Sequence, residues 1–171
     1  DFEKFILKNF RMYTDIYIRL KEYSRKFNKD YEHVFYNADR GFTLQYQIIL
    51  SAIKSDDTQD VVNKKIKMVS CFIDQFISIR IFNFKTVDYS IKYTVFNITK
   101  MIRNKDIKEL AEILKRYINN MELTLEGIDG FYLNQFTRRY MLHILSRMTY
   151  YVEEQSGINS NFADYVNREQ K

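Results

Sequence analysis

The chain has 171 residues, enough for one domain with a real core, and its 27 basic and 22 acidic residues give a net charge of +5. Hydrophobic residues at 46% and charged residues at 29% exclude a disordered chain, and a lone cysteine excludes an intrachain disulfide and a cysteine-based metal cluster. With no proline and only four glycines there are few helix breakers, so long periodic runs read as helices.

The first predicted helix runs from about Phe2 to Phe27. Phe2, Phe5, Ile6, Phe10, Tyr13, Ile16, Tyr17, Leu20, Tyr23 and Phe27 share a face at 3.6-residue spacing, and Asn28-Lys29-Asp30 ends the run. The chain opens on Asp1-Phe2-Glu3, inside this pattern and without an initiator Met, which predicts a piece of a longer protein. Tyr31–Gly41 reads as a loop with a short extended piece at His33–Tyr36, and His33, beside Glu32, reads as a surface histidine. Phe42–Lys54 reads as a short helix that buries Leu44, Ile48, Ile49, Ala52 and Ile53.

Ser55-Asp56-Asp57-Thr58 is an N-cap cluster whose acids suit the positive end of the following helix. That helix, about Gln59–Phe82, is apolar around much of its circumference after Val69 and is expected at the centre of the fold, with Cys71 as a small core residue. Asp88 is read as the cap of a helix over about Tyr89–Arg103. Asp106 is read as the cap of Ile107–Asn119, whose core stripe is Leu110, Ile113, Leu114, Tyr117 and Ile118. Met121–Leu133, with Gly127 and Gly130, is the longest predicted loop.

Asn134 opens the last predicted helix, about Gln135–Gln155. Thr137, Tyr140, Met141, Ile144, Leu145, Met148, Tyr151 and Val152 form its stripe, the cleanest amphipathic pattern in the chain, and are expected to face the core. Gly157 suits the position just past its end. The result is an all-α chain: a single bundle of about six helices with no substantial sheet over residues 1–157, and a polar linker or edge segment over 158–171 leading toward a downstream domain. No window reaches the roughly 18 apolar residues of a membrane span. Lys4, Lys8 and Arg11 also interrupt any signal-peptide core, so no membrane contact and a cytoplasmic location are expected.

Catalytic motifs are absent. There is no glycine-rich phosphate loop, no HExxH and no nucleophile elbow, and two histidines do not make a usual zinc site without carboxylates. No cofactor or metal is expected in this chain. Arg138 and His143 form R-x4-H, the spacing of the active-site motif of the all-helical HEPN ribonucleases. On a helix, however, five steps put the two side chains about 140° apart, and His143 falls on the polar face of Arg139.

Charge is more informative. Between Val61 and Lys105 nine basic residues stand against only Asp74 and Asp88, a net of +7 in 45 residues. Lys64, Lys67, Lys92, Lys100 and Arg103 are the candidate contacts to a nucleic-acid backbone, with Lys92, Lys100 and Arg103 grouped along one helix. No base-reading motif accompanies them.

Glu3–Leu20 (EKFILKNFRMYTDIYIRL), Val34–Ile53 (VFYNADRGFTLQYQIILSAI) and Ile66–Arg103 resemble the helical region of GmrSD-type restriction proteins. Within the last segment, Ser78–Phe84 (SIRIFNF) and Phe96–Asn104 (FNITKMIRN) carry the resemblance most clearly, and Ser146–Tyr150 (SRMTY) also fits. Members of that family are phage-defence enzymes that attack modified DNA. A ParB/sulfiredoxin-like nucleotide-hydrolysing domain leads through a helical region into an HNH nuclease.

The family's aspartate-glycine-glutamine-glutamine-arginine run and its histidine-rich nuclease motif are both absent here, so no catalytic residue is carried over. The resemblance implies a non-enzymatic region whose partners are flanking catalytic domains of the same chain and the DNA backbone. A nucleoside triphosphate and a divalent metal would serve those flanking domains. The other readings of the residues are a partner-binding helical bundle with no nucleic-acid role, and the helical ribonuclease.

Overall fold

A computed structural model describes Glu3 and residues 5–166 of the chain. Phe2 and Lys4 of the first predicted helix, the side chains of Phe5, Ile6 and Lys8, and residues 167–171 of the polar segment lie outside the described residues. Within the described residues the fold is all-α, with no strand. Its helices are α1 (Arg11–Arg25), α2 (Glu32–Asp39), α3 (Gln45–Ala52), α4 (Gln59–Phe82), α5 (Lys92–Ile102), α6 (Ile107–Asn119), α7 (Arg138–Gln155) and α8 (Phe162–Val166). A π-helical stretch, Phe5–Phe10, leads into α1, and a 3-10 turn at Leu125–Gly130 occupies the longest predicted loop. Among the described residues no helix is long and apolar enough to cross a membrane.

Helix α4 has the predicted bounds and the predicted place. It packs against α2, α3, α6 and the Leu125–Gly130 turn, and half of its length is buried. Thr58 caps it, its side chain accepting from the Val61 N–H at 3.4 Å. Asp57 has a different task from the dipole role expected of it: it accepts from the buried Lys65 Nζ at 2.6 Å, and Lys65 also donates to the Lys105 carbonyl at 3.0 Å. That pair ties the start of α4 to the α5–α6 connection. Asp106 caps α6 as predicted, accepting from the Glu109 N–H at 2.9 Å. The main core is aliphatic, with Leu20, Val34, Ile48, Ile66, Ile73, Ile77, Ile98 and Leu110 fully buried. A second, aromatic cluster joins Phe27, Phe35, Tyr36, Tyr150 and Phe162, with α8 as an edge helix that seats Phe162 in it.

Three expectations are corrected. His33–Tyr36 is not extended but part of α2. Val34, Phe35, Tyr36 and Asn37 are all buried, so no polar face marks the helical period in the sequence. Cys71 is only half-buried rather than a core residue.

The third correction concerns α7. Its buried face is Tyr140, His143, Ser146 and Tyr150, while Leu145, Met148, Tyr151 and Val152 are each more than half exposed. Thr137 and Tyr140 of the predicted stripe are buried as expected, but the rest of the stripe is turned away from the core by more than a quarter turn. Its C-terminus ends as expected, with Gly157 at φ +73° and Ile158 N–H donating to the Glu153 carbonyl at 2.9 Å.

Candidate functional site

The orientation of α7 follows from a cluster of charges where α2, α4 and α7 meet. Asp74 sits in an otherwise apolar stretch of α4 and is almost wholly buried. A buried carboxylate is tolerated only with partners. Asp74 has three: Arg147 Nη1 of α7 at 2.9 Å, His33 Nδ1 of α2 at 2.8 Å, and Nη2 of Arg40, the residue that ends α2, in a short contact. Arg40 also donates to the Tyr36 carbonyl, Ser78 Oγ and Asn37 Oδ1. One helical turn before Arg147, His143 donates from Nδ1 to Asp39 Oδ2 at 2.6 Å. Turning His143 and Arg147 inward satisfies two acids, and the cost is the exposure of the apolar stripe.

Electrostatics follow from these contacts. Burial opposes charge on Asp74, but the Arg40, His33 and Arg147 cations outweigh it and hold the carboxyl well below the usual carboxylate range. Burial likewise opposes charge on His33, but the hydrogen bonds to Asp74 and to Cys71 prevail and raise it to about 9. His143 goes the other way: burial, aided by the Arg40 charge, lowers it to about 4 against the pull of Asp39. His33 is therefore cationic and His143 neutral at pH 7. Because Asp39 accepts from Nδ1, the lone pair of His143 is on Nε2, which is buried and makes no hydrogen bond among the described residues.

Beside the cluster lies a groove of about 380 Å³ between α7 and the Leu125–Gly130 turn. Arg40, Asp74, Ser78, His143 and Arg147 line its polar side. The turn is held by Asn83, whose Nδ2 donates to the Thr124 carbonyl at 2.7 Å. A side chain on Gly127 would collide with Asn83, its Cβ falling 2.6 Å from Nδ2. Among the described residues no cluster of three His, Cys, Asp or Glu is placed to hold a metal ion.

The basic residues singled out in the sequence are distributed over two regions. Lys64 pairs with Asp60 on its own helix at 2.7 Å, and Lys67 pairs with Asp30 at 2.8 Å. Lys92, Lys100 and Arg103 belong to α5 and its C-terminal end and are exposed. Lys65, counted in the same charge excess, is buried with Asp57 and belongs to the core. Arg138 is exposed while His143 is buried, so the R-x4-H residues do not share a site; the arginines that line the groove with His143 are Arg40 and Arg147.

Sequence reading missed Asp39, Arg40, Asp74 and Arg147. A signal was present: Asp74 is a lone acid in the run SCFIDQFISI, and such a charge requires a buried partner. Comparison with protein-family models, curated proteins and solved structures finds no match for this chain.

Proposed function

We propose that this chain is the non-catalytic helical region of a GmrSD-type restriction protein, connecting a nucleotide-hydrolysing domain to an HNH nuclease and touching the DNA backbone. The observation that carries this reading is the exposed stripe Leu145, Met148, Tyr151 and Val152. A contiguous apolar face of this kind marks a surface used by other protein, which is what a connector between two domains needs. A second observation agrees with it. Three segments that carry the resemblance contribute to one cluster: Arg40 from Val34–Ile53, Asp74 and Ser78 from Ile66–Arg103, and Arg147 from Ser146–Tyr150. By itself the chain neither cleaves nucleic acid nor hydrolyses nucleotide.

The test uses the full-length protein. Leu145→Glu with Met148→Glu should reduce nucleotide-dependent DNA cleavage by at least about tenfold, because two carboxylates cannot be buried in an apolar contact. Nucleotide hydrolysis should stay within about twofold, since the upstream catalytic groups are untouched. Unchanged cleavage would remove the coupling role.

Backbone contact has its own expected result. Lys100→Gln with Arg103→Gln should weaken DNA binding about equally for all sequences and lower the slope of log affinity against log salt by about 1.8, at roughly 0.9 per phosphate. Fluorescence anisotropy between about 50 and 200 mM salt measures it. An unchanged slope would leave a bundle that binds protein partners only.

A further inference from the structure

Two guanidiniums share the Asp74 carboxylate and end in opposite states. Arg40 is spent, with donors committed to Tyr36, Asn37, Ser78 and Asp74 and a side chain only 2% exposed. Arg147 gives one hydrogen bond, to Asp74, lies with its guanidinium 4.3 Å from the centre of the Tyr36 ring, and is 32% exposed. Asp74 is its only hydrogen-bond acceptor among the described residues. A guanidinium carries five N–H donors in a fixed fork, so most of the Arg147 fork remains available.

That fork borders the groove beside α7, whose walls are Ile81, Phe82, Leu125, Ile128, Ile144 and Met148. The charges around it are otherwise matched. Arg40, Arg147 and His33 converge on a single carboxylate. Glu32 stands 3.9 Å from the far nitrogen of His33 and balances that ring. Asp39 is engaged by His143, which is neutral. Three cations thus face three carboxylates, and what sets Arg147 apart is its uncommitted donors rather than an unbalanced charge.

We propose that this groove binds a small carboxylate with an apolar body. The carboxylate oxygens sit on the open fork of Arg147, whose planar geometry matches them, and the body lies against Ile128, Ile144 and Met148. The apolar walls offer few partners for sugar hydroxyls or base edges, which disfavours a nucleotide. A volume near 380 Å³ lies at the small end of the range for ligand pockets and suits a medium-chain or aryl acid. The site does not depend on contact with DNA, and it shares Met148 with the exposed stripe of α7.

The test is a titration of the chain, followed by amide resonances in two-dimensional NMR, with octanoate, 1-octanol and acetate as probes. Octanoate should give saturable shifts in the 125–128 turn and around Ile144 and Met148, with 1-octanol and acetate at least about tenfold weaker. Arg147→Gln should weaken octanoate at least about tenfold and bring it level with 1-octanol. Because Arg147 also braces Asp74, a second variant is needed at a position away from the cluster. Ile128→Asp, on the exposed rim, should keep the parent spectrum elsewhere and lose octanoate at least about tenfold, through charge repulsion. Equal affinity for octanoate and 1-octanol, no saturation up to about 5 mM, or parent-like binding by Ile128→Asp would each overturn the proposal.

Discussion

Asp74→Ala is expected to cost about 3–5 kcal/mol, more than any other single substitution described above. The cost does not measure the worth of the ion pairs. It arises because Arg40, with its side chain 2% exposed, would be left buried without a counterion. Arg147 and His33 would lose the same partner, but both reach solvent and would relax more cheaply. For a chain of this size the loss corresponds to a fall in melting temperature of roughly 10 °C or more. Ser78→Ala is the internal comparison. It removes one neutral acceptor from Arg40 and should cost only about 1 kcal/mol. Urea unfolding monitored by circular dichroism measures both variants. An Asp74→Ala midpoint indistinguishable from the parent would mean that the cluster does not hold α2, α4 and α7 together.

Stability should peak near pH 6.5 and fall on both sides, for two separate reasons. His33 has a folded-state value of about 9 against an ordinary value of 6.5. The folded state therefore holds a proton that the unfolded chain releases, and this stabilisation is complete below pH 6.5 and disappears as the pH rises through 9. His143 is the reverse, at about 4 when folded. Below pH 6.5 the unfolded chain takes up a proton that the folded state refuses, so stability falls as the pH drops toward 4. Each limb should amount to on the order of 2–3 kcal/mol, with the His33 limb at the lower end because about a quarter of that ring is open to solvent. Below pH 3.8, protonation of Asp74 in the unfolded chain adds a further loss, since its folded value is depressed. His33→Gln should flatten the alkaline limb alone, and His143→Gln the acid limb alone. A profile flat from pH 5 to 9 would show that neither histidine is held as described.

What the sequence disclosed depended on what each residue was buried against. The bounds of α4 and α6 were legible because Thr58 and Asp106 cap them locally and aliphatic stripes follow. Helix α2 was not legible, because four consecutive buried residues erase the period that reveals a helix. The face of α7 was misread for a related reason. Periodicity reports where the apolar residues are, not which face a distant acid requires. Asp39 and Asp74 lie 104 and 73 residues from the α7 side chains that hydrogen-bond to them, and no local pattern encodes those pairings. Pairing buried carboxylates took precedence over burying Leu145 and Met148. The same trade produced both the exposed stripe and the charged lining of the groove beside it.

Hydrogen–deuterium exchange along α7, compared between this chain alone and the full-length protein, tests the connector role most directly. If flanking domains cover Leu145, Met148, Tyr151 and Val152, local opening of that helix must also break their contacts. Amides from 141 to 152 should then exchange at least about tenfold more slowly in the full-length protein, while those of α6 stay unchanged. Equal exchange of α7 in both would mean that nothing in the full-length protein covers the stripe, and would contradict a region built to join two catalytic domains.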